Sequence, residues 1–259
     1  MEFEMIVVPD AEALARSGAQ RFVRSAQQAI GSRGRFTAAL SGGSTPRALY
    51  RLLSEEPFRS ELPWEQVHLF WGDERCVPAG DPGSNYRMAE ETLISRVPIP
   101  PGNVHRVRGE LPPEQAARAY ARDLEEFFCG PRTRFDLVLL GLGSDGHTAS
   151  LFPESPVLEE TTRLAATVEA DYEDRPACRI TLTLPAINTS RQILFLVSGD
   201  SKAEIVRQVL SEPGGPLPAQ QVRPTAGQLT WLIDEAAANR LEEDGPKRWN
   251  TSRMGTSNL

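Results

Sequence analysis

With 259 residues, 40% of them hydrophobic and 24% charged, the chain has ordinary globular composition, and its length fits one large α/β domain or two small ones and can bury a full core. Its 28 Lys and Arg stand against 35 Asp and Glu, and the formal net charge of -7 argues against a nucleic acid partner and an anionic membrane surface. An anionic ligand must therefore be met by individual Arg and Lys side chains gathered in one place against the average field.

In chain order, hydrophobic spacing predicts a strand over residues 5–8, a helix over 11–30, a strand over 36–40, a helix over 46–53 and a strand over 67–71. Helices over 86–95 and 113–128 follow, then strands over 135–140, 179–184 and 192–197 and a helix over 201–210. Residues 212–224, rich in Pro and Gly, read as a surface loop ahead of a last element around 229–238. Short apolar runs alternating with longer helical patterns are the mark of βαβ units. The expected fold class is α/β: a mainly parallel sheet with helices on both faces, plus a smaller subdomain or excursion. Residues 1–240 are expected to form a single domain and 241–259 a flexible, mostly polar C-terminal tail.

The three cysteines, Cys76, Cys129 and Cys178, are odd in number, far apart in sequence and outside any Cys-x-x-Cys spacing. Neither a disulfide framework nor a zinc site is expected, and a reducing cytoplasm is the natural compartment. Residues 1–10 do not read as a signal peptide, and no run of about 18 apolar residues offers a membrane span.

Open parallel sheets bind ligands beyond the carboxyl ends of their strands, so the residues that follow each apolar run are the informative ones. Four such segments are expected at one sheet edge. They are Ser41-Gly42-Gly43-Ser44-Thr45-Pro46, Gly72-Asp73-Glu74-Arg75, Gly141-Leu142-Gly143-Ser144-Asp145-Gly146-His147 and Ser198-Gly199-Asp200-Ser201-Lys202. In the first, glycines allow close backbone approach while hydroxyls and the N–H groups of a helix start supply donors to phosphate oxygens, with Pro46 at the first helical position and Thr45 as the cap. A plain capped glycine turn is the alternative. The segment lacks the Gly-Lys-Ser/Thr ending of a nucleoside triphosphate loop. Lys202 opens a helix, where a cation opposes the dipole and a bound phosphate would supply the reason for it. On spacing alone Arg179 reads as an ordinary strand-edge charge ahead of a phosphate ligand.

Residues 141–146 formally match Gly-x-Gly-x-x-Gly, the dinucleotide fingerprint, with Glu169 or Asp171 as a loose ribose acid. Against that reading, Asp145 would face pyrophosphate, and Pro153 and Pro156 interrupt the helix the motif requires. The competing reading is a glycine turn holding Asp145 and His147 over a site, with imidazole able to take and return a proton near pH 7. His68 is expected to be a packed strand residue, His105 a surface residue and Cys76 a buried small residue. Asp73 and Arg75 offer a carboxylate that can orient and a guanidinium that can hold an oxyanion, or else a surface ion pair.

Taken together, residues 41–46, Trp71-Gly72-Asp73-Glu74-Arg75-Cys76-Val77-Pro78, Ser84-Asn85-Tyr86, residues 141–153 and residues 179–188 resemble the 6-phosphogluconolactonase family, in order and over most of the chain. The resemblance implies hydrolysis of 6-phosphoglucono-1,5-lactone to 6-phosphogluconate without metal or organic cofactor. It also implies the fold of the glucosamine-6-phosphate deaminase and ribose-5-phosphate isomerase superfamily. By similarity, Gly42, Gly43, Ser44, Thr45, Arg179 and Lys202 would hold the phosphate, and Asp73, Arg75, Asp145 and His147 would surround the lactone. The only partner implied is the phosphosugar lactone, with no nucleic acid or membrane, and the protein would be a monomer or small homo-oligomer. Deaminating relatives carry a glutamate a few residues beyond the histidine, where this chain has Leu151-Phe152-Pro153 and a displaced Glu154. A deaminase or isomerase, a phosphosugar-sensing module and a redox enzyme are the competing functions.

Overall fold

Local signals delimit the first βαβ unit. Strand β1 (Glu4–Val8) runs into Asp10, whose carboxylate accepts from the Ala13 N–H at 2.8 Å and caps helix α1 (Ala11–Arg33). Gly34 ends that helix in the left-handed conformation, with φ 74°, which costs a glycine little. Strand β2 (Phe36–Leu40) follows, then α2 (Ser44–Leu53), β3 (Val67–Trp71), the three-residue β4 (Asp73–Arg75) and α3 (Asn85–Thr92). The remaining elements are α4 (Pro113–Phe128), β5 (Leu137–Leu140), β6 (Ala165–Glu169), β7 (Cys178–Leu182), α5 (Leu184–Asn188), β8 (Gln192–Val197), α6 (Ala203–Ser211), β9 (Gln228–Asp234), α7 (Glu235–Ala238) and β10 (Asn250–Arg253). The computed structural model of the chain describes residues 3–130, 132–170, 177–211, 214–241 and 250–253, with the last four described as backbone alone.

Seven strands form one parallel sheet in the order β10-β1-β9-β8-β5-β2-β3. Every residue of β2 and β5 is buried. Because successive side chains point to opposite faces, both faces of the sheet are covered, as a parallel sheet flanked by helices requires. After β2 the chain steps outward to β3; after β5 it steps the other way, to β8 and β9. The gap between β2 and β5 is therefore a topological switch point, where the connections on either side diverge and leave a crevice.

The smaller excursion is a second sheet, antiparallel, in the order β4-β7-β6. Gly72 joins the two sheets: its N–H donates to the Leu40 carbonyl of β2 at 2.8 Å, and its carbonyl accepts from the Leu182 N–H of β7 at 2.7 Å. Two buried tyrosines close the carboxyl ends of neighbouring strands, where backbone groups run out of ladder partners. The Tyr50 hydroxyl bonds both the N–H and carbonyl of Ser41, and the Tyr120 hydroxyl does the same at Trp71.

Several boundaries differ from the sequence reading. The helix expected over 86–95 is α3 plus a separate 3-10 turn at Ile94–Arg96, and α6 is preceded by another at Asp200–Lys202. The run 179–184 lies in the small antiparallel sheet, not the parallel one, and ends early because Thr183 and Pro185 start α5. Within the expected tail, Asn250–Arg253 pairs parallel with β1, so that part is an edge strand; residues 242–249 and 254–259 lie outside the described residues. Among the described residues no helix is long and apolar enough to cross a membrane.

His105, expected at the surface, is half-buried: its ring stacks on Phe70 at 4.3 Å, and its Nε2 lies 3.2 Å from His68 Nδ1. Burial, together with the charge His68 would carry, pushes the His105 pKa down to about 4 from 6.5. The unfolded chain therefore takes up this proton first. Stability from this group is complete above about pH 6.5 and is lost as pH falls towards about 4. The unfolding midpoint in denaturant should drop across that window, and the drop should be visibly shallower in His105→Leu.

Candidate active site

The site is built where β2, β3, β5 and β8 end, four adjacent parallel strands whose following segments all lie at one edge of the sheet. After β5 the chain makes a tight turn with no helix behind it. The Gly143 N–H donates to the His147 carbonyl at 2.8 Å, the Gly146 N–H to the Gly143 carbonyl at 3.1 Å, and Gly146 has φ 81°. A Cβ on Gly143 would collide with the His147 ring and the Asp145 carboxylate, so the absence of a side chain makes room for the pair. From behind, Leu217 packs against Gly146, and the Ala219 N–H donates to the Gly146 carbonyl at 3.1 Å. No helix N-terminus follows Gly146, the next helical turn being Pro156–Glu159, so the turn offers pyrophosphate none of the dinucleotide-site geometry. Glu169 ends β6 in the small sheet, and Asp171 lies outside the described residues.

His147 Nδ1 lies 2.5 Å from Asp145 Oδ1, and the same oxygen accepts the His147 N–H at 3.2 Å. Burial works against the Asp145 charge, but the hydrogen bond from the His147 ring and the ring's charge outweigh it and hold the carboxyl below its ordinary range. An ionised Asp145 can only accept, so Nδ1 carries the proton. Nε2 is then the ring nitrogen that carries the lone pair.

Strand β4 sends alternate side chains to opposite faces. Glu74, on one face, is buried at the start of α3. It accepts from the backbone N–H groups of Arg75 (2.7 Å), Asn85 (2.8 Å) and Tyr86 (2.7 Å) and from the Ser84 hydroxyl (3.0 Å). Burial pushes this carboxyl up, against all four bonds. Asp73 and Arg75 share the other face with Thr181 and Arg179, their partners across the β4–β7 ladder. Asp73 is buried, accepting from the Ser150 hydroxyl at 2.7 Å and from Asn85 Nδ2 at 3.3 Å. The Ser150 N–H in turn donates to the Thr181 hydroxyl at 3.3 Å, which lays the segment after His147 onto this face.

Arg75 donates to the Gly83 carbonyl, and Arg179 sits on the central strand of the small sheet, only 3% exposed, so it is no edge charge. Phe152 comes between the two halves of the site, its ring 4.7 Å from that of His147 and 5.6 Å from the Arg179 guanidinium carbon.

Residues 41–46 meet the crevice differently from expectation. Helix α2 starts at Ser44 with Gly43, at φ 111°, as its cap and no side-chain cap bond, so Thr45 is not the cap and Pro46 is the third helical residue. The Ser44 and Thr45 N–H groups thus belong to the first turn, whose donors a helix cannot satisfy itself. Gly42 packs against the Asn85 amide, which also donates to the Asp73 carbonyl at 2.9 Å. Lys202 is half-buried in the turn after β8, next to β5; Asp234, from the end of β9, holds that turn through Ser198 and the Gly199 N–H.

The sequence reading gave no role to Asn85, Ser150 or Phe152. The available signals were a hydroxyl and an aromatic three and five residues beyond His147, and an Asn just after the Ser84 cap of α3. Among the described residues, no group of three or more His, Cys, Asp or Glu is placed to hold a metal ion.

A parallel α/β sheet that brings an Asp–His pair, a buried carboxylate, two arginines and a helix start to its switch point has the arrangement of an α/β enzyme. The chain belongs to the family of glucosamine-6-phosphate isomerases and 6-phosphogluconolactonases, which matches residues 9–231. A 6-phosphogluconolactonase of Synechocystis sp. is 43% identical over 220 residues, covering 83% of this chain and 88% of that protein. The Homo sapiens 6-phosphogluconolactonase is 40% identical over 236 residues, with 88% of each chain covered. The solved 6-phosphogluconolactonase from Trypanosoma cruzi superposes with a TM-score of 0.82 at 29% identity, over 93% of this chain and 98% of its own.

If Gly143 makes room for the Asp–His pair, Gly143→Ala should leave the circular dichroism spectrum intact but lower turnover by about 100-fold, the cost of a displacement of roughly an ångström. A crystal structure of the variant would show the His147 ring displaced.

Proposed function

We infer that this chain hydrolyses 6-phospho-D-glucono-1,5-lactone to 6-phospho-D-gluconate, the second step of the oxidative pentose phosphate pathway. The observation that carries the reading is the Asp145–His147 pair at the switch point, beside a sheet face bearing two arginines directly opposite each other. Like charges facing across a ladder are destabilising. An anionic substrate would offset that cost.

A lactone is an ester whose ring oxygen must leave. Water has to be activated, the carbonyl oxyanion stabilised and the leaving oxygen protonated. His147 Nε2 takes a proton from the attacking water while Asp145 holds the Nδ1–H and stabilises the imidazolium that forms. Arg75 faces the developing oxyanion. As the tetrahedral intermediate collapses, the imidazolium returns its proton to the ring oxygen, and the open acid then ionises. Asp73, tied to Ser150 and Asn85, holds the surrounding segments in register. Gly42, Gly43, Ser44 and Thr45 at the start of α2, with Arg179 and Lys202, take the phosphate. The scheme uses neither metal nor organic cofactor. We take the reducing cytoplasm as the compartment, in keeping with three free thiols.

Deamination of glucosamine-6-phosphate needs further acid–base steps to open the ring and expel ammonia. The nearest carboxylate beyond His147, Glu154, is exposed at φ 61° after Pro153, and Phe152 fills the place beside the imidazole. That arrangement favours simple hydrolysis.

Because such lactones also open unaided, the test follows 6-phosphogluconate formation from fresh 6-phosphogluconolactone above the uncatalysed rate, with unphosphorylated lactone as control. Acceleration confined to the phosphorylated substrate is expected; none from folded protein would sink the reading. His147→Ala should lose roughly 100- to 10,000-fold in kcat while still binding phosphosugar. Near-normal turnover would remove His147 from the chemistry. Lys202→Ala should raise KM by about 10- to 100-fold with a smaller change in kcat, as loss of one charge-assisted bond predicts. An unchanged KM would take Lys202 out of the phosphate site.

A further inference from the structure

We propose that Cys76 and Cys178 are a site of reversible oxidation, closing to a disulfide that staples β4 to β7 when the protein meets a peroxide. The ladder between these strands pairs Asp73 with Thr181, Glu74 with Ile180 and Arg75 with Arg179. The next rung brings together two cysteines that are 102 residues apart in sequence. The Cys76 N–H donates to the Cys178 carbonyl at 3.0 Å, and the two sulfurs lie 2.7 Å apart as free thiols. Directly opposed residues of a hydrogen-bonded antiparallel pair have Cα atoms about 5.5 Å apart, within the roughly 4.4–6.8 Å that a disulfide spans. The bond can therefore form without moving the backbone. Both side chains are half-buried, which leaves them open to a small oxidant. Cys129, exposed at the end of α4, belongs to another part of the fold.

The chemistry is a two-electron oxidation. One thiolate attacks the peroxide, breaking its O–O bond and giving a sulfenic acid and water after proton uptake; the second thiol then displaces water from that sulfur. In sum, two thiols and one hydrogen peroxide yield one disulfide and two waters. Burial, the Cys178 thiol and the Glu74 carboxylate push the Cys76 thiol up, and the short distance between the sulfurs lets the second thiol resolve the sulfenic acid as soon as it forms. The staple closes next to the Arg75–Arg179 rung without crossing the face where His147 lies, so it secures the strand pair and leaves catalysis running.

The experiment treats the full-length protein with hydrogen peroxide under native conditions, then alkylates and weighs it. Before alkylation the expected product is 2 Da lighter (two hydrogens); alkylation then adds one group where the untreated protein takes three, and digestion yields a fragment joining the Cys76 and Cys178 peptides. Its Tm should rise by roughly 5–10 °C, as expected for closing a loop of about 100 residues, with dithiothreitol reversing all four changes. Cys129→Ser should keep the link and Cys178→Ser abolish it. Three alkylatable thiols after treatment, sulfinic acid at either residue, or a link through Cys129 would each overturn the proposal, and the wild-type measurements need no variant to fold.

Discussion

The two hydrogen bonds of Gly72 are the constraint on which the site depends. One ties the chain to β2 of the large sheet and the other to β7 of the small one. Everything that surrounds His147 from the far side hangs from that joint: β4 leaves it immediately, and β7 is registered against β4. The residue that follows a buried strand normally enters a helix or a free loop. Here it enters a second ladder, so the charged side chains of 73–75 are held at defined positions on a sheet and not on a mobile turn.

Fixing them so has an electrostatic cost that the fold meets in three different ways. Glu74 is met by four donors, two of them backbone N–H groups at the start of α3, where the helix dipole also favours a negative charge, yet burial still raises its carboxyl. Asp73 is compensated by one hydroxyl and one amide, which commits it to holding other segments in place. Arg179 is buried against the face of an aromatic ring. In a chain whose formal net charge is -7, the basic groups of the site are thus placed individually, each by a separate element.

Much of this was legible in the sequence because the period of the apolar residues follows directly from burial. The parallel strands β2, β3, β5 and β8 are near-continuous apolar runs, interrupted only by Thr37, His68 and Gln192, as strands covered on both faces tend to be, and the segments that follow them do share one edge. The small sheet was not legible as a sheet. Strand β4 is three charged residues with no alternation to read, and β6 gains its partners only through the excursion between β5 and β8. Arg179 was misjudged as an edge charge for the same reason: its surroundings are set by a long-range pairing that leaves no trace in local spacing. Conversely, the helix start at Ser44 was misread by local rules, since Thr45 and Pro46 carry the residue types of cap and first turn while Gly43 takes the cap position. The roles of Ser150, Asn85 and Phe152 depend on which strands meet, and no single-segment pattern holds that information.

The contact of Asn85 with both Gly42 and Asp73 has a consequence for how this chain can change. One amide side chain fills the space left by a missing Cβ in the first strand-end loop and also holds the backbone and carboxylate of the second. The two loops therefore share a mechanical element, and a substitution that enlarges Gly42 alters the environment of Asp73 without touching it. Substitutions in these loops share Asn85 as a contact, so their effects are expected not to sum.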